Sequence, residues 1–227
     1  MNHKLLAVQR SAIFADLGPA ETAHVVAAAQ ERNLSRRQTL FFVGDPIRQL
    51  WLLTAGCVKL MQVGPSGCEV ILRVAGAGEV VGDFGFCARD THRATAQALQ
   101  PSKVLIWEAA VFDALSERFP LLRRNMLRVL NHRLNEMDER FREISTEKVA
   151  PRLSSQLGRL LLQMGNRVEG GIEISLSREE LAQLTGTTLF TVSRMLSRWE
   201  QDGIVKARRE AVLVCDSQAL VEMAEGK

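Results

Sequence analysis

The stretch SREELAQLTGTTLFTVSRMLSRWEQDG, residues 177–203, carries the most structural information in this chain. Ser177, with Glu180 three residues later, is the capping-box start of a short helix. Gly186 then permits a sharp turn, and a threonine after it can cap a second helix at about 189–201. Two short helices joined by a tight glycine turn are typical of a helix-turn-helix.

The second of these helices has two different faces. One face carries apolar residues at helical spacing and is predicted to be buried: Val192, Met195, Leu196 and Trp199. The face turned away from it carries hydroxyls and arginines: Thr191, Arg194 and Arg198, with Ser193 at its edge. An ordinary helical hairpin with a solvated polar face is the alternative interpretation.

The residues just after the second helix favour the helix-turn-helix. Two short apolar segments, 204–207 and 211–214, flank a charged turn, which predicts the two-stranded wing of a winged helix. The wing would bring Lys206, Arg208 and Arg209 beside the second helix. Cations in that place suit DNA phosphates, which position a protein on the duplex, while Arg194 is suited to a base edge.

Composition limits the class of protein. The chain has 227 residues, of which 46% are hydrophobic and 24% charged, as in soluble globular proteins. Apolar runs are far shorter than the roughly 20 residues of a membrane span, and residues 1–20 carry polar groups throughout. We therefore expect a cytoplasmic protein without a membrane partner. A net charge of +3 is weak evidence for a nucleic-acid partner, because nucleic-acid binding depends more on a local basic face than on the total charge.

The cysteines predict neither a disulfide nor a metal site. Cys57, Cys68, Cys87 and Cys215 form no C-x-x-C pair and show no metal-ligand spacing. In the hairpin predicted around the turn at 64–67, Cys68 faces Val63 and lies far from Cys57 along the ladder. Reduced structural thiols are the expectation.

The N-terminal half predicts helices followed by a small antiparallel barrel. Residues 4–32 are expected to be helical, with an interruption at Gly18 and Pro19 and a helix over 21–32. From Leu34 onward, short strands are separated by turn signals, which is typical of a barrel or sandwich. The predicted strands are 39–43, 49–54, 58–63, 69–74, 94–99 and 103–107.

A long helix is predicted over 121–148, where there is no glycine or proline. Apolar residues recur along it at spacings of three and four, a heptad seam: Leu127, Leu130, Leu134, Met137, Phe141 and Ile144. A narrow stripe of this kind suits one partner helix, so we interpret it as a dimerisation helix. The alternative is a helix that lies on its own barrel. Another helix at 152–164, a loop at 165–171 and a strand at 172–176 precede the helix-turn-helix.

This order of elements resembles the CRP/FNR superfamily of bacterial transcription regulators, over residues 14–216. Two patterns carry the resemblance: GEVVGDFGFCARDTHRATAQAL at 78–99, which is similar to the family's phosphate-binding cassette, and TGTTLFTVSRMLSRWEQDGIV at 185–205, which is similar to its recognition helix. The resemblance implies an α+β fold. An N-terminal antiparallel β-barrel (a cyclic-nucleotide-binding-like jelly roll, 1–120) precedes a long dimerisation helix (121–148) and a C-terminal winged helix-turn-helix (149–227).

The resemblance also implies an effector site, with departures from the cyclic-AMP-binding members. Those members have an acidic residue for the ribose and an Arg-Ser pair for the cyclic phosphate. This chain has Asp83, one methylene shorter than their glutamate, then Arg93, and Ala94 in place of the serine. Each departure would cost roughly 1 kcal/mol or more. Arg93 is left with three roles: binding cyclic AMP, binding another small anionic effector, or a salt bridge in the barrel. The candidate effector residues are Gly82, Asp83, Arg93, Ala94, Met137 and Asp138.

Metal cofactors of the superfamily are not expected here. The oxygen-sensing branch uses several N-terminal cysteines for an iron–sulfur cluster, whereas residues 1–56 contain none. Haem-binding members use a histidine, and His24, His92 and His132 are candidates, but a lone histidine is more often structural. The expectation is no iron–sulfur cluster, no other metal and no haem.

The resemblance bears on three residues of the predicted DNA-reading face. Arg194 matches the family's arginine, and Ser193 lies where a hydroxyl touches a base in one branch. The family's glutamate is replaced by Phe190, which cannot accept from cytosine but can pack on a thymine methyl, or can simply pack under the wing. The expected base readers are Leu189, Phe190, Thr191, Ser193 and Arg194, and the expected phosphate contacts are Thr188, Arg198, Lys206, Arg208 and Arg209.

These expectations combine into a homodimeric, sequence-specific transcription regulator that binds palindromic double-stranded DNA. An effector bound between barrel and long helix would control it, and RNA polymerase would be its partner, as the resemblance implies. An enzyme is not expected, because the residues after the long helix hold no Ser/His/Asp cluster and no phosphate-cradling glycine loop. The alternative is a cyclic-nucleotide-type regulatory or scaffold protein that does not bind DNA specifically.

Overall fold

The computed structural model describes residues 3–84 and 90–224. Its contacts divide the chain into two compact units, one of residues 1–62 with 74–136 and one of residues 63–73 with 137–227. The tip of the hairpin at 63–73 therefore belongs with the C-terminal residues. The division into three segments at 120 and 148 stays a prediction.

Residues 30–108 contain a jelly roll of two four-stranded antiparallel sheets, and most of this segment belongs to the first unit. Their strand orders are β1-β8-β3-β6 and β2-β7-β4-β5. Three short helical segments precede the strands: α1 (His3–Arg10), a 3₁₀ turn (Ala12–Phe14) and α2 (Pro19–Ala27). The strands are β1 (Gln30–Leu34), β2 (Thr39–Phe41), β3 (Gln49–Ala55), β4 (Val58–Val63), β5 (Glu69–Ala75), β6 (Val80–Val81), β7 (Thr95–Ala98) and β8 (Ser102–Glu108). Then come α3 (Ala109–Arg118) and α4 (Pro120–Thr146).

The helix expected over 21–32 is wrong at its C-terminal end. The helix stops at Ala27, and Gln30–Leu34 forms an edge strand that pairs with β8, Gln30 opposite Ile106. Four of its five residues are exposed and Leu34 alone is buried, so it lacks the alternating pattern that marks a strand. The partner strand determines its conformation.

Two apolar clusters fill the first unit. One lies between the sheets and includes Trp51, Leu53 and Ala96. The other packs the N-terminal helices and α3 against the barrel around Trp107, whose indole Nε1 donates to the Val25 carbonyl at 2.7 Å. The start of α4 joins this second cluster through Leu122 and Met126.

The second unit contains a winged helix. Its elements after α4 are α5 (Val149–Met164), β9 (Asn166–Val168), β10 (Gly171–Ile174), α6 (Arg178–Thr185), α7 (Leu189–Gln201), β11 (Val205–Ala207), β12 (Val212–Val214) and α8 (Ser217–Ala224). The sheet order is β11-β12-β10-β9, all antiparallel. The loop expected at 165–171 is wrong because β9 pairs there with β10, and α8 was not foreseen.

Among the residues that the structure describes, no helix is both long and apolar enough to cross a membrane.

Candidate nucleic-acid interface

Capping interactions start and stop the two helices of the helix-turn-helix. The Ser177 hydroxyl accepts from the Glu180 N–H at 3.2 Å, and the Glu180 carboxylate accepts from the Ser177 N–H at 2.9 Å, the predicted capping box. Gly186 ends α6 with φ +61°, a left-handed conformation that disfavours residues with a side chain. The Thr188 hydroxyl then caps α7 by accepting from the Thr191 N–H at 3.2 Å.

A buried core supports α7. Val192, Leu196 and Trp199 are each less than 5% exposed, as the apolar stripe predicts, whereas Met195 is only half-buried. The opposite face remains accessible, with Phe190 74% exposed, Leu189 50% exposed, and Arg194 and Arg198 exposed. A rigid helix that presents such a face has the form of a major-groove reader.

The predicted base readers divide into two groups in the structure. The Arg194 guanidinium lies 6.0 Å from the centroid of the Phe190 ring, one helical turn away, in cation–π contact. Thr191 is tied to the cap instead, because its hydroxyl lies 2.9 Å from that of Thr188. Ser193 is half-buried at the edge of the face. Sequence reasoning did not foresee the Phe190–Arg194 pair, although spacing of four on a helix was the available signal.

The wing presents cations, one of which is already paired. Lys206 and Arg209 are exposed. The Arg208 guanidinium forms an ion pair with Glu173 on β10, which reduces its availability for a phosphate.

Gly82, Asp83 and Arg93 of the cassette are held by close packing and a hydrogen bond. Gly82 has φ +82°, and a Cβ there would lie 2.6 Å from the Phe41 ring, so a side chain is excluded. Asp83 accepts from the Arg93 N–H at 3.0 Å, while the Arg93 side chain is exposed and Ala94 is buried. Residues 85–89, which include Cys87, lie outside the described residues. Met137 and Asp138 are both exposed on α4 and belong to the second unit. An effector-binding role for these residues stays a prediction.

Arg133 on α4 is a cassette contact that sequence reasoning missed. Its guanidinium donates to the Gly82 carbonyl at 2.8 Å and lies 5.3 Å from the Phe84 ring centroid. Arg133 and Arg140 are one heptad apart and flank the apolar seam, a periodicity that could have identified them.

His92 is buried close to Asp83. Its ring stacks on Phe41 with centroids 3.5 Å apart, and its Nδ1 lies 3.9 Å from the Asp83 carboxylate. Burial lowers the pKa of His92, and the charges of Asp83 and Asp45 oppose that shift only in part. The imidazole is therefore neutral at pH 7.

Acid should destabilise the barrel through His92. Because its folded-state pKa lies below the unfolded value of 6.5, the unfolded chain takes up a proton first as pH falls, and stability is lost below about that pH. We expect the melting temperature of His92→Phe to fall less than that of the wild type between pH 7 and pH 5. His132→Gln, on an exposed α4 histidine, is the control. Parallel curves for wild type and His92→Phe would contradict this assignment.

The thiols differ in environment. Cys57 is buried, whereas Cys68 and Cys215 are exposed, and none of the three is in a disulfide. Burial, with a smaller contribution from the Glu79 charge, raises the pKa of the Cys57 thiol to about 12.

Thiol alkylation at pH 8 should distinguish these cysteines. The thiolate is the reactive species, so we expect iodoacetamide to modify Cys68 and Cys215 in the folded protein and to leave Cys57 unmodified. Peptide mass spectrometry would locate the adducts, with a denatured sample as the control in which Cys57 reacts. Equal labelling of Cys57 and Cys68 in the folded protein would show that the assignment is wrong.

The part of the chain that the structure describes contains no cluster of candidate metal ligands. Within residues 3–84 and 90–224, no three His, Cys, Asp or Glu side chains are grouped so as to hold a metal ion. The His24 and Phe119 rings form a T-shaped pair with centroids 5.7 Å apart, and His132 lies 3.5 Å from Glu136. The expectation of no iron–sulfur cluster and no haem stays a prediction.

The apolar seam of α4 is exposed over most of its length. Leu130 is half-buried and packs on the barrel core, so the alternative of a helix on its own barrel holds for this residue. The other seam residues expose between 47% and 74% of their surface: Leu127, Leu134, Met137, Phe141 and Ile144.

Comparisons with known proteins agree with this architecture. The cyclic nucleotide-binding domain family matches residues 31–119, and the Crp-like helix-turn-helix domain family matches residues 155–223. The cyclic AMP receptor protein of Thermus thermophilus is 30% identical over 216 residues, covering 95% of this chain and 98% of that protein. Electron transport regulator A of Shewanella oneidensis is 26% identical over 193 residues, covering 84% of this chain and 77% of that protein.

A solved structure is similar over the same range. The c-di-GMP-responsive regulator CLP of Xanthomonas campestris superposes with a TM-score of 0.74 at 22% identity, covering 88% of this chain and 100% of that one. That similarity concerns the fold alone. With both domain families in order and a relative 30% identical over nearly the full length of both chains, this protein belongs to the CRP/FNR superfamily of bacterial transcription regulators.

Proposed function

We propose that this regulator binds palindromic DNA as a homodimer and reads each half-site with α7. The observation that carries the proposal is the exposed Phe190–Arg194 pair on a helix whose opposite face is buried. The superfamily's helix-turn-helix supplies the docking mode, in which the second helix enters the major groove.

The Phe190–Arg194 pair is suited to contacting two bases, a guanine and a thymine. Arginine reads guanine bidentately through O6 and N7, and an aromatic ring packs on the thymine methyl. Because Phe190 replaces the glutamate that would accept from cytosine, the half-site should differ from the family's usual one at that base pair. Leu189 adds a second apolar contact, and Ser193 and Thr191 offer hydroxyls at the edge.

Phosphate contacts would come from around this surface. Arg198, Lys206 and Arg209 are exposed cations near the ends of α7 and the wing, and Thr188 lies at the helix N-terminus. Arg208 would have to leave Glu173 to contribute. These contacts fix register on the duplex without specifying sequence.

Dimerisation would use the exposed seam of α4. A coiled coil of two such helices would bury Leu134, Met137 and Phe141 from both chains, and it would provide the two-fold symmetry that a palindrome requires. The extent of that seam, from Leu127 to Ile144, supports the proposal.

Control by an anionic effector is proposed at the cassette, with Gly82, Asp83, Arg93 and Ala94, and with Met137 and Asp138 on α4. An effector that binds one dimer geometry better shifts the population toward it. Asp83 is engaged with the Arg93 backbone and Ala94 offers no hydroxyl, so cyclic AMP lacks two of the contacts it would use. RNA polymerase is the proposed partner at promoters, and the cytoplasm the proposed location.

Selection from a randomised duplex pool, with and without cyclic AMP, tests the function. We expect a two-fold palindrome to be enriched, and enrichment that depends on cyclic AMP would identify the effector. Equal enrichment in both arms would mean a different signal or constitutive activity. No palindrome in either arm would support the scaffold alternative. Binding to random DNA that falls steeply with salt would still indicate phosphate contacts.

A further inference from the structure

The Arg140 side chain joins three backbone segments of the second unit. From α4, its guanidinium donates to the Leu72 and Ile71 carbonyls on β5 and, at 2.7 Å, to the Leu184 carbonyl on α6. Arg140 is half-buried. Its planar fork of donors can reach several acceptors at once, which the single ammonium of a lysine does less well.

The contact between Arg140 and α6 lies next to the turn of the helix-turn-helix. Leu184 is in the last turn of α6, two residues before the Gly186 turn that leads into α7. Carbonyls in a last turn have no partner within the helix and attract cations. Arg140 therefore caps α6 from outside and ties the base of the recognition motif to α4.

A second contact joins α6 to the hairpin. The Gln183 amide donates to the Glu69 carboxylate at 3.4 Å. Arg140 and Gln183 together hold the hairpin tip, residues 63–73, against α6. Leu189, Phe190 and Arg194 stay exposed beside these contacts, so the base-reading face remains open.

Charged hydrogen bonds also hold the end of α4 to α5. Glu143 is 5% exposed, and its carboxylate accepts hydrogen bonds from both Nη atoms of Arg159, at 2.7 and 2.8 Å. Arg152 donates to the Ile144 carbonyl at 3.3 Å and to the Glu147 carbonyl at 3.4 Å. A junction of α4, α5 and α6 built from such directional contacts has a defined angle, because breaking the contacts of the buried Glu143 or Arg152 leaves a buried polar group without a partner.

We infer that Arg140 is a positioning residue for DNA recognition, which sets the angle between α4 and the helix-turn-helix. The inference rests on the proposed homodimer. The two recognition helices must match half-sites about 34 Å apart. A helix-turn-helix that is held loosely on α4 loses conformational freedom on binding, which weakens affinity. Arg140 thus determines which half-site spacing the dimer accepts.

Binding to duplexes with altered spacing tests this role. The probes are the selected palindrome, the same half-sites moved one or two base pairs closer or farther apart, and a single half-site. We expect Arg140→Gln to bind the native spacing about tenfold more weakly, with little change on altered spacings, so that the spacing preference flattens. Arg140→Lys should be intermediate.

Arg142→Gln is the matched control, because Arg142 lies two residues away on α4 and pairs with Glu139 and Glu147. It should keep the wild-type spacing preference. Hydrogen exchange provides a readout without DNA: Arg140→Gln should speed exchange at residues 63–73 and in α6. Wild-type protein without any palindrome preference would overturn the proposed function itself.

Arg140→Gln with the wild-type spacing preference, or with unchanged exchange, would overturn the positioning role alone. Equal losses on palindrome and single half-site would also overturn it, since they would indicate a damaged helix-turn-helix.

Discussion

Arg194→Ala is expected to abolish discrimination between the selected palindrome and random DNA. A bidentate contact to guanine is worth about 1–3 kcal/mol, so two half-sites would lose ~2–6 kcal/mol of specific binding. Random-DNA binding should change little, because it depends on the sum of phosphate contacts. The measurement is competition binding of one labelled palindrome against unlabelled palindrome and random duplex at fixed salt.

Arg198→Ala is the matched control, since Arg198 is exposed on the same helix one turn further along. Its loss should weaken binding to both duplexes alike and reduce the slope of log affinity against log salt by about 2, because the dimer loses one phosphate contact per subunit. If Arg194→Ala instead weakened both duplexes equally, the base-reading role of Arg194 would be wrong, and it would be a phosphate contact.

Phe141→Glu is expected to convert the dimer to monomer. The Phe141 ring is 74% exposed in the single chain, and burying such a side chain is worth about 1.5–3 kcal/mol. The substitution removes that contribution from both chains and places two carboxylates in an apolar seam, where an unpaired charge is costly. Sedimentation should show a dissociation constant raised by about a thousandfold or more.

Asn135→Glu adds the same charge on α4 at an exposed position outside the seam, so it should leave the dimer intact. Palindrome affinity should fall with Phe141→Glu and not with Asn135→Glu, because a monomer binds one half-site at a time. A Phe141→Glu variant that stayed dimeric would mean that the seam is not the dimer interface and packs against some other surface.

Most of the helix-turn-helix could be predicted because its signals are local. Ser177 and Glu180 cap one helix, Gly186 turns the chain, and the stripe of Val192, Leu196 and Trp199 orients α7. Each of these features depends on residues within a few positions of one another. Both interacting residues can therefore be recognised in the same short segment of sequence.

The effector site could be predicted less well. The resemblance located Gly82, Asp83, Arg93 and Ala94, but the buried state of His92 was not apparent from its neighbours in sequence. Its pKa depends on burial against Phe41 and on the charges of Asp83 and Asp45, and both Phe41 and Asp45 lie more than forty residues earlier in the chain.

The sequence by itself determined the succession of barrel, long helix and winged helix, the two faces of α7, the apolar seam of α4 and the superfamily. Only the tertiary structure decided that Gln30–Leu34 is a strand, that Arg208 pairs with Glu173, and that Arg140 joins β5 to α6. The physical reason is separation along the chain. Backbone carbonyls and partner strands more than thirty residues away leave no periodicity in the segment that binds them, so these contacts become visible only when the chain is folded.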